Sequence, residues 1–570
     1  MRSFVANRAG IPLYRVCSSF PLAFLLALSA CRPADRAPGG EGTPSGPPST
    51  AAVLKLMPEG AVTALALPSV ELAEEQIHAL LLRGAPDDVD MRAEIKVLTG
   101  QFARGANAFE AESIADIAAI KGLDPEKPLA LFFGASKEIK TEPSPLGQIE
   151  FERQIMAYLG FGALPPMAAV LPYAKRQDAE KFVVDWGGSG TMNPKDLDEP
   201  KTTIFSRDDD SFAYFFTDDL LVAGTSAALV RGIAGRMKSP ASVRYGTNDC
   251  PADSTDEIVQ LIRTDKVAAG VAASTSPFFS GSLPRNLGDA ASQLWRGWIE
   301  PYKGDDPMVV TWKFDGDRLS VRSRLDYAKH PEAKAALAPA APLTHLNALP
   351  ESTIAAWSIQ LTPKTRASLK ESAGTSMGAQ GGMIGQLGGS IGKVIDLMGD
   401  AATIAVTGPG ADTSKLAVLI SFQDGDAARS VLRDLGMTPL KAETYNNTDI
   451  FSFVFPPATV YYAIPKSTFV LAGNLDSVKD LIDRIDSGKP GPFASGLNPP
   501  LDVNPPRQQA FVAKQEFFAG ALLPALEANG MASKDQTQYT TKALGKVRDA
   551  RMTTEVVKDW QDTHLVVQFE

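Results

Sequence analysis

Leu54 to Leu67 reads LKLMPEGAVTALAL and Leu346 to Ile359 reads LNALPESTIAAWSI, and the two stretches align without a gap. Each sets an apolar residue, Pro and Glu (Met57-Pro58-Glu59 and Leu349-Pro350-Glu351) before a run of small and β-branched residues that suits a buried strand. Working outward, Leu129-Ala130-Leu131-Phe132-Phe133-Gly134 is echoed by Thr403-Ile404-Ala405-Val406-Thr407-Gly408. The strand-helix pattern of Met167 to Gly187 returns as Leu416 to Gly436, each with an Asp (Asp178, Asp426) where a helix N-cap is expected and Gly at the far end. Leu220 to Gly224 followed by a helical Ser226 to Arg236 corresponds to Phe469 to Gly473 followed by Asp476 to Ile485. The pair Phe278-Phe279 returns as Phe517-Phe518, and the alternating run RLSVRSR (Arg318 to Arg324) as HLVVQFE (His564 to Glu570).

Elements matching in one order imply a duplication, with Pro331 to Pro342, rich in Ala, Pro and Lys, between the halves. The expectation is an α+β protein of two tandem repeats, residues 51–330 and 343–570. Each is expected to be a largely antiparallel sheet with helices packed on one face. Tight turns such as Asp315-Gly316 join strands, and helical inserts fall at Val70 to Ile120 and Thr362 to Leu397. Ser239 to Ser254, with Cys250, and the Pro/Gly-rich Ser487 to Pro506 read as exposed loops at equivalent places.

The first thirty residues carry Arg2, Arg8 and Arg15 and no acid, and Val16 to Ala30 is apolar apart from Cys17, Ser18, Ser19 and Ser29. That run is too short for a membrane span of about 20 residues and reads as a signal peptide over 1–30. Leu28-Ser29-Ala30-Cys31 resembles the lipobox of bacterial lipoproteins. The resemblance implies cleavage before Cys31 and lipidation of its sulfur and amino group, palmitate included, giving a stable membrane anchor. Arg32, where inner-membrane lipoproteins commonly hold Asp, implies sorting to the outer membrane; the expected setting is the periplasmic side of the cell envelope. From Cys31 to Thr50, interleaved Pro and Gly cannot bury a core, so the segment reads as a disordered tether. As a flexible coil it spans on the order of 25 Å. The Met57-Pro58-Glu59 and Leu349-Pro350-Glu351 starts resemble a group of exported bacterial proteins that carry an uncharacterised domain of unknown function. That resemblance implies no activity and no catalytic residue.

Removal of residues 1–30 takes three positive charges with it, so the net charge of −10 becomes −13, which excludes nucleic acid as a partner. With Cys17 lost and Cys31 acylated, Cys250 stands alone and no internal disulfide forms. His78, His330, His345 and His564 make no pair at ligand spacing, so neither a metal site nor a cofactor is expected. Asp208-Asp209-Asp210 and Asp424-Gly425-Asp426 lack the twelve-residue calcium loop and read as solvated turns.

Gly388-Gly389-Ser390-Ile391-Gly392 fits G-x-S-x-G, with His564 downstream, yet Gly374 to Leu387 is too glycine-rich for the strand that a nucleophile elbow requires. Ser390 to Lys393 also fits S-x-x-K without its companion elements. The glycines recur every fourth residue (Gly374, Gly378, Gly382 and Gly381, Gly385, Gly389), compatible with a close-packed helix, a loop, or a membrane-inserting helix interrupted by polar residues. Trp295 and Trp298 fall at helical spacing near Phe278 and Phe279; such stripes are core, or line an apolar ligand site or interface, and Phe517 and Phe518 share that alternative. The sequence thus points to a non-enzymatic, outer-membrane-tethered binding or structural module. The alternatives are a periplasmic carrier or chaperone for an apolar ligand and, third, a serine hydrolase using Ser390.

Overall fold

The structure is a computed structural model that describes residues 50–134, 166–241, 257–263, 308–370, 392–408, 415–433, 440–522 and 542–570, apart from positions 88, 189, 199, 330, 336, 338, 364–365, 368–369, 456–457, 490 and 543. Cys31, Cys250, Phe278, Phe279, Trp295, Trp298, Ser390 and the glycines from 374 to 389 lie outside the described residues. The chain divides into two compact units between Lys329 and His330.

The first unit runs α1 (Thr50–Leu54), β1 (Ala61–Leu67), α2 (Val70–Gly84), α3 (Met91–Gly105), α4 (Ile114–Ile120), β2 (Leu129–Gly134), β3 (Met167–Pro172), α5 (Arg176–Gly187), β4 (Met192–Leu197), β5 (Thr202–Arg207), β6 (Ala213–Phe216), β7 (Leu220–Gly224), α6 (Ala227–Lys238), β8 (Ile258–Ile262), β9 (Met308–Asp315) and β10 (Arg318–Asp326). Its strands lie in the spatial order β10-β9-β8-β1-β2-β3-β7-β6-β5-β4, each pair antiparallel. The helices start where a short polar side chain meets the first free amides. Ser69, Asp90, Ser113 and Ser226 accept from the backbone N–H of Leu72, Ala93, Asp116 and Leu229, each cap being worth about 1 kcal/mol. Buried Glu74 on α2 accepts from the amides of Ile114 and Ala115, both at 3.1 Å, and so holds the N-terminus of α4.

Every residue of β1 and β2 is buried, so both sheet faces are covered there. Leu65, Leu67, Leu129, Leu131 and Phe133 pack against Ile77 and Leu81 of α2 and Met91 and Ile95 of α3. Gly134 turns toward the opposite face, and a Cβ there would meet Leu229 of α6 at 3.5 Å. Helices therefore cover both faces, not one. The central strands are apolar at both parities, so neither side could be left to water.

The second unit runs β11 (Thr353–Gln360), β12 (Met398–Thr407), β13 (Leu416–Phe422), α7 (Gly425–Arg433), β14 (Leu440–Tyr445), β15 (Thr448–Phe455), β16 (Ala458–Ala463), β17 (Thr468–Ala472), α8 (Leu475–Ser487), α9 (Pro492–Ser495), β18 (Gln509–Lys514), β19 (Val547–Val557) and β20 (Trp560–Phe569). Its antiparallel order is β20-β19-β18-β11-β12-β13-β17-β16-β15-β14. The main core lies between one face of this sheet, with Ala356, Ala405, Leu419, Val470 and Val512, and α8, with Val478, Leu481 and Ile482. Asn446 and Asn447, both at positive φ, make the two-residue turn between β14 and β15.

Two local expectations are corrected. The side chain that caps α7 is Asp424, whose Oδ1 accepts from the amides of Asp426 and Ala427, while the N-cap of α5 is Lys175 with no side-chain bond, leaving Asp178 in the first turn. The stretch Ser487 to Pro506 is not an exposed loop: it carries α9, with Pro at its start and Phe493 wholly buried in the main core. In the stretch Pro331 to Pro342, Pro331–Ala335 is helical and Ala341 pairs with Arg507.

Candidate functional site

Residues directly opposed in an antiparallel sheet share a face. In the second unit this rule assembles a row across neighbouring strands. Met552 stands opposite Phe511, Phe511 opposite Trp357, Trp357 opposite Ile404, Ile404 opposite Val418, and Val418 opposite Leu471. Leu471 in turn faces Tyr462, and Tyr462 faces Phe451. The other sheet face holds the main core, so this row points away from it. Trp357 keeps 44% of its surface exposed and Ile404 keeps 49%. Phe511, Val418, Leu471 and Met552 are half-buried. The row is a continuous apolar ridge rather than scattered exposed residues, the arrangement that marks interaction surfaces.

In the first unit the row through Leu65, Leu131, Ala169 and Ala223 is buried throughout, and α2 and α3 cover its Leu65 end. The two units thus differ in how much of this face stays open.

Phe517 and Phe518, singled out in the sequence, sit at the edge of the ridge. The Phe517 ring meets Phe511 edge-on at 6.2 Å and Phe518 at 5.7 Å. Both are half-buried. The residues that sequence reasoning passed over are Trp357, Ile404 and Phe511. Trp357 lies inside the stretch used to recognise the repeat, where the polar Ser358 and Gln360 share the core-facing parity with Ala356, so alternation points to the wrong face as the open one.

Of the two acidic clusters, Asp208-Asp209-Asp210 is a turn, whereas Asp424-Gly425-Asp426 is the cap and first turn of α7. Asp209 Oδ1 accepts from the Ser211 amide and hydroxyl, and Asp210, at positive φ, pairs with Arg231 at 3.0 Å. Among the described residues no three metal-ligating side chains lie together, and no helix is long and apolar enough to cross a membrane.

A serine-histidine contact does occur. His345, in the 3-10 turn Thr344–Ala348, places Nε2 3.0 Å from the Ser421 hydroxyl. Burial pushes the imidazole down to about 4, and its Nδ1 is buried without a partner among the described residues. A catalytic dyad needs an acid or carbonyl on that nitrogen to orient the ring, so the contact lacks the third member of such an arrangement.

No protein-family model matches the chain, and neither does any curated protein. Among solved structures, crystal forms I and III of TP0453 each cover 48% of this chain, with 79% and 78% of theirs, at 8% and 9% identity. Their TM-scores are 0.22 and 0.21, a loose likeness that carries no argument.

Proposed function

We propose that the mature chain is a lipoprotein anchored in the outer membrane through acylated Cys31, without catalytic activity, and that its second unit binds an apolar partner through the ridge around Trp357. The observation that carries the binding role is the half-exposed row from Met552 to Leu471, set on a sheet whose other face is filled. A flat ridge favours a protein partner over a carrier's ligand, because small apolar ligands are held in concave sites. The lipobox residues Leu28 to Cys31 support the anchor.

The two units are read as copies of one ancestral domain. The two antiparallel orders correspond strand for strand, and each first strand carries a bulge at the same place, between Ala61 and Thr63 in one and Thr353 and Ala355 in the other. Bulges are placed features of a sheet rather than accidents, which gives the coincidence weight. On this reading the second copy acquired the open face that the first keeps closed.

The test is a photo-crosslinking amino acid at position 404 in the intact cell envelope. A discrete adduct with another protein supports the binding role, and a lipid adduct turns the reading toward the carrier. Crosslinks confined to the chain itself would overturn both.

A further inference from the structure

Trp357 and Ile404 hold the places in the second sheet that Leu65 and Leu131 hold in the first. Trp357 lies two residues past Ala355, where the bulge of β11 ends, as Leu65 lies two past Thr63 in β1. Ile404 stands opposite both Trp357 and Val418, as Leu131 stands opposite both Leu65 and Ala169. The cover differs: Leu65 and Leu131 are 3% and 7% exposed, against 44% and 49% for Trp357 and Ile404. In the first unit that cover is helical. Ile77 and Leu81 of α2, and Met91 and Ile95 of α3, pack on this register, each pair spaced i, i+4 along one stripe of its helix.

The open face itself selects the same kind of occupant. β11, β12 and β13 are interior strands with a hydrogen-bonded neighbour on each side, so a segment laid on their face receives no backbone bonds from them. It must satisfy its own amides and carbonyls, as a helix does. A helix about 10 Å wide covers two strands about 4.8 Å apart, which matches Trp357 and Ile404 on the neighbouring strands β11 and β12. Charge adds a further condition. The flanking positions of the same face, Ala355, Val406 and Leu416 on one side and Ile359, Ala402 and Ile420 on the other, are all uncharged, in a chain of which 21% is charged. A charged side chain brought against them would be buried without a counter-ion, so the occupant's contact stripe is apolar.

We propose that the protein partner of the ridge presents one amphipathic α-helix, whose apolar i, i+4 residues seat on Trp357 and Ile404 as those of α2 and α3 seat on the first sheet. This rests on the reading of the ridge as a protein-binding surface and gives the form of what it binds.

The test uses a fluorescein-labelled peptide of residues 69–84, the sequence of α2 with its capping Ser69, titrated with the full-length protein and followed by anisotropy and circular dichroism. Binding with a gain of helix is expected. Ile404→Glu in the protein weakens it roughly tenfold or more, because the carboxylate would be buried under the helix. Ile77→Glu with Leu81→Glu in the peptide weakens it as much and leaves the protein's own fold untouched. Leu82→Gln in the peptide, off the buried stripe, leaves the affinity unchanged. No binding, binding without a gain of helix, binding that survives either set of Glu substitutions, or an equal loss with Leu82→Gln overturns the helical partner. With any of these, a protein adduct at position 404 in the envelope leaves the ridge reading standing, whereas crosslinks from position 404 confined to the chain itself overturn both.

Discussion

His345 Nε2 and Ser421 Oγ lie 3.0 Å apart on the core side of the second sheet, and the imidazole is held neutral there by burial, titrating at about 4 rather than 6.5. Between those values the unfolded chain binds a proton that the folded chain does not, so stability rises with pH across the window. The contribution is complete above about pH 6.5 and is lost as pH falls toward about 4, a change on the order of 3 kcal/mol. Denaturant midpoints measured at pH 5 and pH 7.5 should therefore differ more in the natural protein than in His345→Gln. An equal pH dependence in the two would show that the ring is not buried neutral.

Phe493 and Phe517 should behave differently although both are phenylalanines near β18. Phe493 is wholly buried in the main core, with the Lys514 ammonium 5.3 Å from its ring centre, so Phe493→Ala should cost about 3–5 kcal/mol. Phe517 is half-buried at the edge of the ridge and makes edge-on contacts, so Phe517→Ala should cost about 0.5–1.5 kcal/mol. Urea unfolding of the two variants checks the order, and equal costs would contradict the burial difference.

The strands legible in the sequence were those with dense apolar runs, such as β1, β2, β3 and β7, because burial on both faces selects such runs. The edge strand β4, MNPKDL, was not legible: it is largely exposed and holds Pro194, which only an edge tolerates. If the two units are copies, as proposed, matching on terminal glycines shifts two pairings by one residue. Sequence matching pairs Gly134 with Gly408, yet Gly134 stands opposite Ala61 as Thr407 stands opposite Thr353, while Gly408, at φ +114, serves the turn beyond the strand. Likewise Gly224 and Ala472 hold equivalent partners, Ala168 and Ala417. The open ridge is not legible because exposure is set by what packs on a strand, and in β11 the polar Ser358 and Gln360 are the buried residues while Trp357 stands open.

Gly224 has a structural reason in the close approach of β3. A Cβ built on Gly224 would stand 2.2 Å from the Met167 carbonyl oxygen and 2.6 Å from the Ala168 Cα, both backbone atoms that cannot swing aside. Gly224→Ala should therefore part β3 from β7 and destabilise the first unit by about 1–3 kcal/mol. Thermal unfolding of this variant beside the natural protein tests it, and an unchanged midpoint would mean that the strands are less close than described.

Cys31 is the residue on which the proposed location rests. Cys31→Ser should stop acylation and leave an unprocessed precursor, with labelled palmitate incorporated by the natural protein and not by the variant. Mass spectrometry of the mature natural chain should find a diacylglyceryl-modified Cys31 at its amino terminus. An unmodified terminus elsewhere would remove the anchor from the proposed function.

Catalysis by a serine can be tested at both serines that invite it. Ser421 has a histidine within hydrogen-bonding distance, but that histidine is buried, titrates at about 4, and has no acid on Nδ1 among the described residues to hold the tautomer that takes a proton from the hydroxyl. Ser390 lies in a segment too rich in glycine for the strand-to-turn strain that exposes a nucleophile. A fluorophosphonate probe should therefore leave the purified protein unlabelled at neutral pH. Labelling that disappears in Ser390→Ala would revive the hydrolase, whereas labelling lost only in Ser421→Ala would mean that the His345 pocket opens far enough to admit a substrate.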